Sequence, residues 1–308
     1  MKHFNSFFLA ASTATLLAAC GGGGGDAGGP PPLVSASSAS AARYSEPMLV
    51  TLTGANLDQA LTLTSAGCRN FVRSSAAPFV STATLAYYTC TVSGVGNQTV
   101  TVSGGGITAA TVPFSVPEPQ VTMLVNNGAG VSGTLVLSLR PDVAPLTVDN
   151  FLAYVKNGFY TNTVFHRHGR TAASTPFVLQ GGGYTAPLSS ATLFPNPKPT
   201  NAPIALEAGR GLSNVRYTLA MARTNEPNSA TSEFFINTVD NTFLNGNGTV
   251  ANPGYAVFGT ITTGTTVVDA MVAAPCTLSP VNFNSGFTVS TDCLPEPNLV
   301  IVGATQTR

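Results

Sequence analysis

The chain has 308 residues, long enough for two domains that each bury a core, and its thirteen Lys and Arg balance thirteen Asp and Glu. Charged residues make up only 8% and no run of like charge occurs, so there is no electrostatic footprint for a nucleic-acid backbone and a DNA- or RNA-binding role is excluded. Low charge with abundant Gly, Ser, Thr, Ala and Val points to a strand-rich protein with many turns.

Lys2 leads an apolar run, FFLAASTATLLAA, that is too short to span a bilayer and closes in small residues. Residues 1–19 therefore read as a secretory signal. Leu17-Ala18-Ala19-Cys20 resembles the lipobox of bacterial lipoproteins. That resemblance implies that Cys20 becomes the lipidated first residue of a chain anchored in the bacterial cell envelope and facing the periplasm. The plainer alternative is an ordinary signal peptide followed by an incidental cysteine. Residues 20–32, including GGGGGDAGGPPP, cannot pack a core and read as a tether.

Residues 33–117 carry short alternating runs, such as Met48-Leu49-Val50-Thr51-Leu52-Thr53 and Thr99-Val100-Thr101-Val102, separated by Gly and Asn turns. Several such strands in so short a stretch suggest a small immunoglobulin-like β-sandwich. With no histidine and no carboxylate cluster, this region offers no chemistry and reads as a spacer or interaction module with no identifiable partner. Cysteines enter here. With Cys20 set aside, Cys68, Cys90, Cys276 and Cys293 remain, an even number in an exported chain. Of three possible connectivities, the two clusters along the chain favour Cys68 with Cys90, stapling the sandwich, and Cys276 with Cys293. Zinc is the competing reading, but no CxxC spacing and no nearby histidine support it.

Pro117-Glu118-Pro119 marks a boundary, and residues 118–308 form the second domain. Gly133-Thr134-Leu135-Val136-Leu137-Ser138-Leu139 alternates as a strand. A helix is predicted over 146–158, with Val148, Phe151, Leu152 and Val155 on one face, Thr147 as cap and Gly158 as stop. A second is predicted over 266–273, with Val268, Met271 and Val272 on one side and Pro275 ending it. Between them the chain reads as strand and loop.

Within this domain five motifs occur in order. Gly158-Phe159-Tyr160 with Val164-Phe165-His166-Arg167 is followed by Leu179-Gln180-Gly181-Gly182-Gly183, then Leu219-Ala220-Met221-Ala222-Arg223, then Ser232-Glu233-Phe234-Phe235-Ile236-Asn237, and finally Tyr255-Ala256-Val257-Phe258-Gly259. Together they resemble the cyclophilin peptidyl-prolyl isomerases, over roughly 131–302. The resemblance implies an all-β-dominated fold, a closed eight-stranded antiparallel barrel capped by two helices. Side chains fill a barrel of that size, so substrate binds in an outer groove.

A prolyl amide rotates over a barrier of about 18–20 kcal/mol, and catalysis requires only that the twisted amide be favoured. When conjugation is lost the prolyl nitrogen becomes a better acceptor, so a donor placed there stabilises the transition state selectively. A guanidinium suits the task because it keeps its charge and offers donors in a rigid fork. The resemblance assigns this role to Arg167, without metal, cofactor or acid-base cycling. It also places Phe177, Val178, Phe235, Leu244 and Tyr255 in or beside the proline pocket, Gln180 on the substrate backbone, Ala222 and Arg223 along the peptide groove, and Phe243 where many eukaryotic members carry tryptophan. Val178 replaces a common methionine. Glu233 replaces a common glutamine with an anionic acceptor able to pair with Arg167.

His166 and His168 share a strand face and could in principle bind metal, but no third ligand lies near in sequence. His166 reads as structural or at the groove rim. His168 and Arg170 are expected in an extended loop over 168–176 that has about five residues more than compact family members. The leading functional reading is thus an isomerase assisting the folding of exported, Pro-containing polypeptides from a lipid anchor. The alternative is a catalytically weak Pro-peptide-binding or chaperone-like envelope lipoprotein. An adhesin-like structural role explains only the sandwich.

Overall fold

The computed structural model describes residues 29–171, 173–189, 197–278 and 292–308. The signal and Cys20 lie outside the described residues. The chain divides into two compact units, 1–118 and 119–308.

The first unit contains seven strands: β1 (Leu33–Ala39), β2 (Pro47–Ala55), β3 (Thr62–Thr64), β4 (Cys68–Arg73), β5 (Leu85–Val92), β6 (Gly96–Ser103) and β7 (Ala110–Val116). They form one sheet in the order β1-β2-β5-β4 and another in the order β3-β6-β7. Lettered in chain order these are ABED and CFG, the constant-type immunoglobulin arrangement. Alternation decides which side is buried: Met48, Val50 and Leu52 of β2, Ala86, Tyr88 and Val92 of β5, and Val112, Phe114 and Val116 of β7 turn inward. The Cys68–Cys90 disulfide joins β4 to its own neighbour β5 within one sheet, rather than crossing between the sheets.

The second unit is a barrel. Its strands are β8 (Gln120–Asn126), β9 (Ser132–Leu139), β10 (Thr163–Arg170), β11 (Pro176–Thr185), β12 (Thr218–Met221), β13 (Phe234–Asn237), β14 (Val257–Thr263) and, last in the chain, β17 (Val300–Gln306). Pairing runs β11-β13-β12-β14-β9-β8-β17-β10, and the β10–β11 ladder closes the circle, all antiparallel. Two short strands, β15 (Cys276–Leu278) and β16 (Cys293–Pro295), were not foreseen. They form a ladder appended outside the barrel, where Cys293 pairs with His168 of β10.

Helix α1 (Pro145–Lys156) packs its buried face, Val148, Phe151, Leu152 and Val155, onto the barrel, with the Phe151 ring 5.2 Å from Tyr160, 5.5 Å from Phe234 and 5.1 Å from Phe258. Pro145 starts it, where a missing N–H costs nothing. Thr147 is not its cap. It sits in the first turn, and both its N–H (2.8 Å) and its hydroxyl (2.9 Å) donate to Glu207, a buried carboxylate 60 residues away that satisfies one of the backbone donors left unpaired at the helix start. Gly158, at φ +65°, ends the helix as expected: its N–H donates to the Val155 carbonyl and the Phe159 N–H to that of Tyr154, a Schellman closure. Helix α2 (Thr265–Ala273) buries Val268 and Met271.

The extension between Arg167 and Gln180 is not a long loop. It lengthens the β10–β11 hairpin, with His168 paired to Leu179, Gly169 to Val178 and Arg170 to Pro176. Only 171–175 connect the strands, and His168 is fully buried, because the appended β16 covers that end of β10.

Candidate active site

Register places the site. Gln180 of β11 lies opposite Phe235 of β13, Phe235 opposite Ala220 of β12, and Ala220 opposite Val257 of β14. Residues paired in this way share a sheet face, so these four side chains form a row across the outer wall. Val178, Ala220, Ala222, Phe235 and Val257 pack into one apolar cluster, against which Phe177, Leu212, Leu244 and Tyr255 also pack. The groove above it is lined by Arg167, Phe177, Val178, Gln180, Ala222, Arg223, Phe235, Phe243, Leu244 and Tyr255.

Strand alternation would put Phe165 and Arg167 on one face. Phe165 instead pairs with Gly181 and Arg167 with Gln180, two residues of β10 beyond Phe165 answering one of β11, which is a β-bulge. Phe165 therefore enters the core against Phe234, ring centroids 5.9 Å apart, while Arg167 turns to the groove.

Three residues hold the guanidinium. Its Nε donates to Asp292 Oδ2, its Nη1 donates to Gln180 Oε1 at 2.9 Å, and its carbon sits 6.0 Å from the Phe177 ring centroid. Gln180 in turn donates through Nε2 to Glu233 Oε2 at 2.7 Å. Glu233 thus stands behind Gln180 instead of lining the groove, and reaches Arg167 through that amide. It fits there because Gly183 has no side chain: a Cβ at that position would fall 2.2 Å from Glu233 Oε1. His166 Nε2 lies 3.4 Å from Glu233 Oε2, with its ring 4.7 Å from that of Tyr184. Fully buried, His166 is structural and not at the groove rim.

The electrostatics follow from this packing. Burial works against ionisation of Glu233, but the neighbouring His166, the Gln180 amide and the Arg167 charge outweigh it and hold the carboxyl below its usual range. Burial, with Glu233 adding to it, pushes the Tyr184 hydroxyl up to about 12. His168 is pushed down to about 4, first by burial and then by the Arg170 charge, with Asp292 opposing.

The remaining walls are braced from behind. The Phe177 carbonyl accepts from the Asn241 amide at 2.6 Å and from the Thr238 N–H at 3.0 Å. Asn241 also donates to Asn237, which donates to Asn214 and Thr218. Arg223 binds the Gly254 carbonyl through Nε (3.0 Å) and Nη2 (2.8 Å) and lies 4.5 Å over the Tyr255 ring, so it shapes one end of the groove. Phe243 is 69% exposed, at the lip, its ring 5.9 Å from that of Phe177.

Asp292 and the Asn237–Asn241 pair are the site residues that sequence reasoning missed. For Asp292 the only local signal is an acid beside a cysteine, 125 residues from Arg167. The Cys276–Cys293 disulfide is formed. A histidine does lie beside it in space, since ligand atoms of His168, Cys276 and Cys293 fall within 4.8 Å of one another. With both sulfurs in the disulfide, neither is a thiolate donor for zinc.

A closed eight-stranded barrel with two helices, carrying an arginine and a glutamine at the head of an apolar outer groove, defines a barrel of the cyclophilin type. Residues 121–286 match the family model described as cyclophilin type peptidyl-prolyl cis-trans isomerase/CLD. The chain is 50% identical over 141 residues to the peptidyl-prolyl cis-trans isomerase cyp18 of Streptomyces antibioticus, covering 46% of this chain and 78% of that one. It is 46% identical over 138 residues to peptidyl-prolyl cis-trans isomerase B of Escherichia coli, covering 44% and 77%. An Acinetobacter baylyi peptidyl-prolyl cis-trans isomerase is 46% identical over 143 residues, covering 46% and 69%. The chain belongs to the cyclophilin-type peptidyl-prolyl cis-trans isomerase family and is an isomerase.

Proposed function

We propose that this isomerase acts on X-Pro bonds of exported polypeptides from a lipid anchor at Cys20, and that Arg167 is the donor to the twisting amide. The observation that carries the catalytic part is the way the guanidinium is shared out. Nε is taken by Asp292 and Nη1 by Gln180, while Nη2 makes no hydrogen bond among the described residues, and the guanidinium lines the same groove as the apolar cluster of Val178, Ala222 and Phe235. A proline ring resting on Phe235, Val178 and Leu244 puts its nitrogen within reach of that donor. As the amide twists, the nitrogen lone pair localises and the hydrogen bond strengthens, so the interaction favours the transition state over either planar isomer. No bond breaks and no proton moves.

Envelope anchoring is supported by the apolar leader, the Leu17-Ala18-Ala19-Cys20 motif, the Gly and Pro tether and the even set of paired cysteines. The catalytic part is tested by NMR exchange on an X-Pro peptide with Arg167→Lys, which keeps a cation beside Asp292 but cannot reproduce the planar fork. Exchange falls about a hundredfold or more, the scale of removing one well-placed donor. Near wild-type exchange in that folded variant overturns the assignment.

A further inference from the structure

Between α2 and β17 the described residues, 274–278 and 292–299, include the two short strands β15 and β16 outside the ring of barrel strands, and these converge on the site. Leu278 pairs with Cys293, Cys293 pairs with His168 of β10, and the Cys276–Cys293 disulfide locks the two ends together. The residue that this arrangement delivers to β10 is Asp292. It is 3% exposed, and both its oxygens are engaged: Oδ1 accepts from the Arg170 N–H at 2.9 Å and Oδ2 accepts from Arg167 Nε. A carboxylate so far from water is tolerated only when paired and hydrogen-bonded, and here β10 supplies both partners.

We propose that Asp292 is a positioning residue for Arg167, and that the Cys276–Cys293 disulfide is the clamp that keeps it in place. This inference rests on Arg167 being the donor to the twisting amide. A guanidinium is planar, and its side chain has large rotamer freedom. Bonds from two different nitrogens, Nε to Asp292 and Nη1 to Gln180, fix both the plane and its rotation within that plane. The free Nη2 is thereby aimed before substrate arrives, and a misplacement of about 1 Å in such a group is enough to cost about a hundredfold in rate.

The sign of the effect separates positioning from simple charge. An anion beside the guanidinium weakens its field at the groove, so if Asp292 acted only through charge, neutralising it would leave isomerisation unchanged or faster. If it positions, neutralising it slows the reaction. Asp292→Asn offers one amide oxygen where two donors, Arg167 Nε and the Arg170 N–H, require acceptors, and its own N–H groups oppose one of them. The apolar pocket that holds the proline ring is untouched.

The test uses the full-length mature chain and an X-Pro peptide, with kcat and KM taken from NMR exchange at several peptide concentrations. Variants are Asp292→Asn, Asp292→Glu, the double variant Cys276→Ser with Cys293→Ser, the three substitutions combined, and Arg167→Lys. Asp292→Asn is expected to lower kcat about tenfold or more with KM within about twofold, and Asp292→Glu to recover part of the loss. The cysteine variant lowers kcat in the same way, and adding Asp292→Asn lowers it little further, because the two act through one contact. The Nε–H proton resonance of Arg167 moves to the position of a water-bonded guanidinium in both. A kcat per folded molecule that stays at the wild-type value or rises in Asp292→Asn, while Arg167→Lys is slow, overturns this inference alone. Should Asp292→Asn not fold, a folded cysteine variant with wild-type kcat overturns it equally. Wild-type rates in both Asp292→Asn and Arg167→Lys overturn the role of Arg167 itself.

Discussion

Phe165 and Arg167 stand two residues apart on one strand yet face opposite sides of the barrel wall, because a bulge lets Phe165 meet Gly181 while Arg167 meets Gln180. The pair therefore splits stability from activity. Phe165→Ala removes a fully buried ring from the core and is expected to destabilise the barrel by about 3–5 kcal/mol in urea unfolding. Arg167→Lys should change stability by less than about 1 kcal/mol while abolishing most turnover. If Phe165→Ala unfolds at the wild-type midpoint, the facing assigned to this bulge is incorrect.

The Glu233 carboxylate fixes which end of the Gln180 amide meets Arg167, since it can only accept and so demands the amide N–H groups. Gln180→Ala removes one hydrogen bond to the guanidinium and is expected to lower kcat/KM about threefold to tenfold. Because the Glu233 carboxyl titrates below its usual range, its charge, and with it the acceptor it offers the Gln180 amide, is present above that range and lost only as pH falls through the lowered value. Catalysed exchange should thus be flat between about pH 5.5 and pH 8 as far as Glu233 is concerned. An acid limb in that window that disappears in Glu233→Gln contradicts the arrangement.

His168 makes the fold sensitive to acid. In the unfolded chain its imidazole takes a proton near 6.5, whereas burial in the fold holds that value at about 4. Above about 6.5 both states are neutral and the full stability is present. As pH falls from there toward about 4, only the unfolded chain binds the proton, so stability drops with pH. Between pH 7 and pH 5 the loss assigned to this residue is about 2 kcal/mol. Urea titrations at the two values should show that difference in the wild type and a correspondingly smaller one in His168→Leu. Equal slopes in the two proteins would falsify the buried, neutral state of this ring.

For the anchor, Cys20→Ser is expected to move the protein from the membrane fraction to the soluble fraction of cells and to remove the lipid mass from its N-terminus. One acyl chain anchors only marginally and several together hold firmly, so the shift should be nearly complete. Unchanged partition and processing of the variant would rule out lipidation at this residue.

Both disulfides join cysteines close along the chain, with separations of 22 and 17 residues, and each is expected to contribute about 3 kcal/mol through the unfolded state. Cys68→Ala with Cys90→Ala should lower the stability of the first unit and leave isomerase turnover unchanged, since both residues lie within 1–118. A loss of turnover in a folded variant would show that the two units are coupled.

Short-range pattern determined a large part of this protein. The two helices, the alternating strands and the Gly158 stop are readable because periodicity and turn residues are properties of neighbours in the chain, whereas the groove residues Arg167, Gln180, Phe235 and Tyr255 are readable through the resemblance of their ordered motifs to the cyclophilins. The groove accordingly brings together the residues named from the sequence, apart from Glu233. What only the tertiary structure decided are relationships that depend on register or on distant partners. One extra residue in β10 reverses the facing that simple alternation assigns, and the pattern of apolar residues carries no mark of it. Glu207 satisfies the start of α1 from 60 residues away, where Thr147 looked like the local cap. Asp292 reaches Arg167 from 125 residues away, and the apparent loop after His168 becomes buried strand because β16 covers it. Each of these is a buried polar or backbone group finding its partner, and burial obliges such a partner to exist without specifying where in the chain it lies.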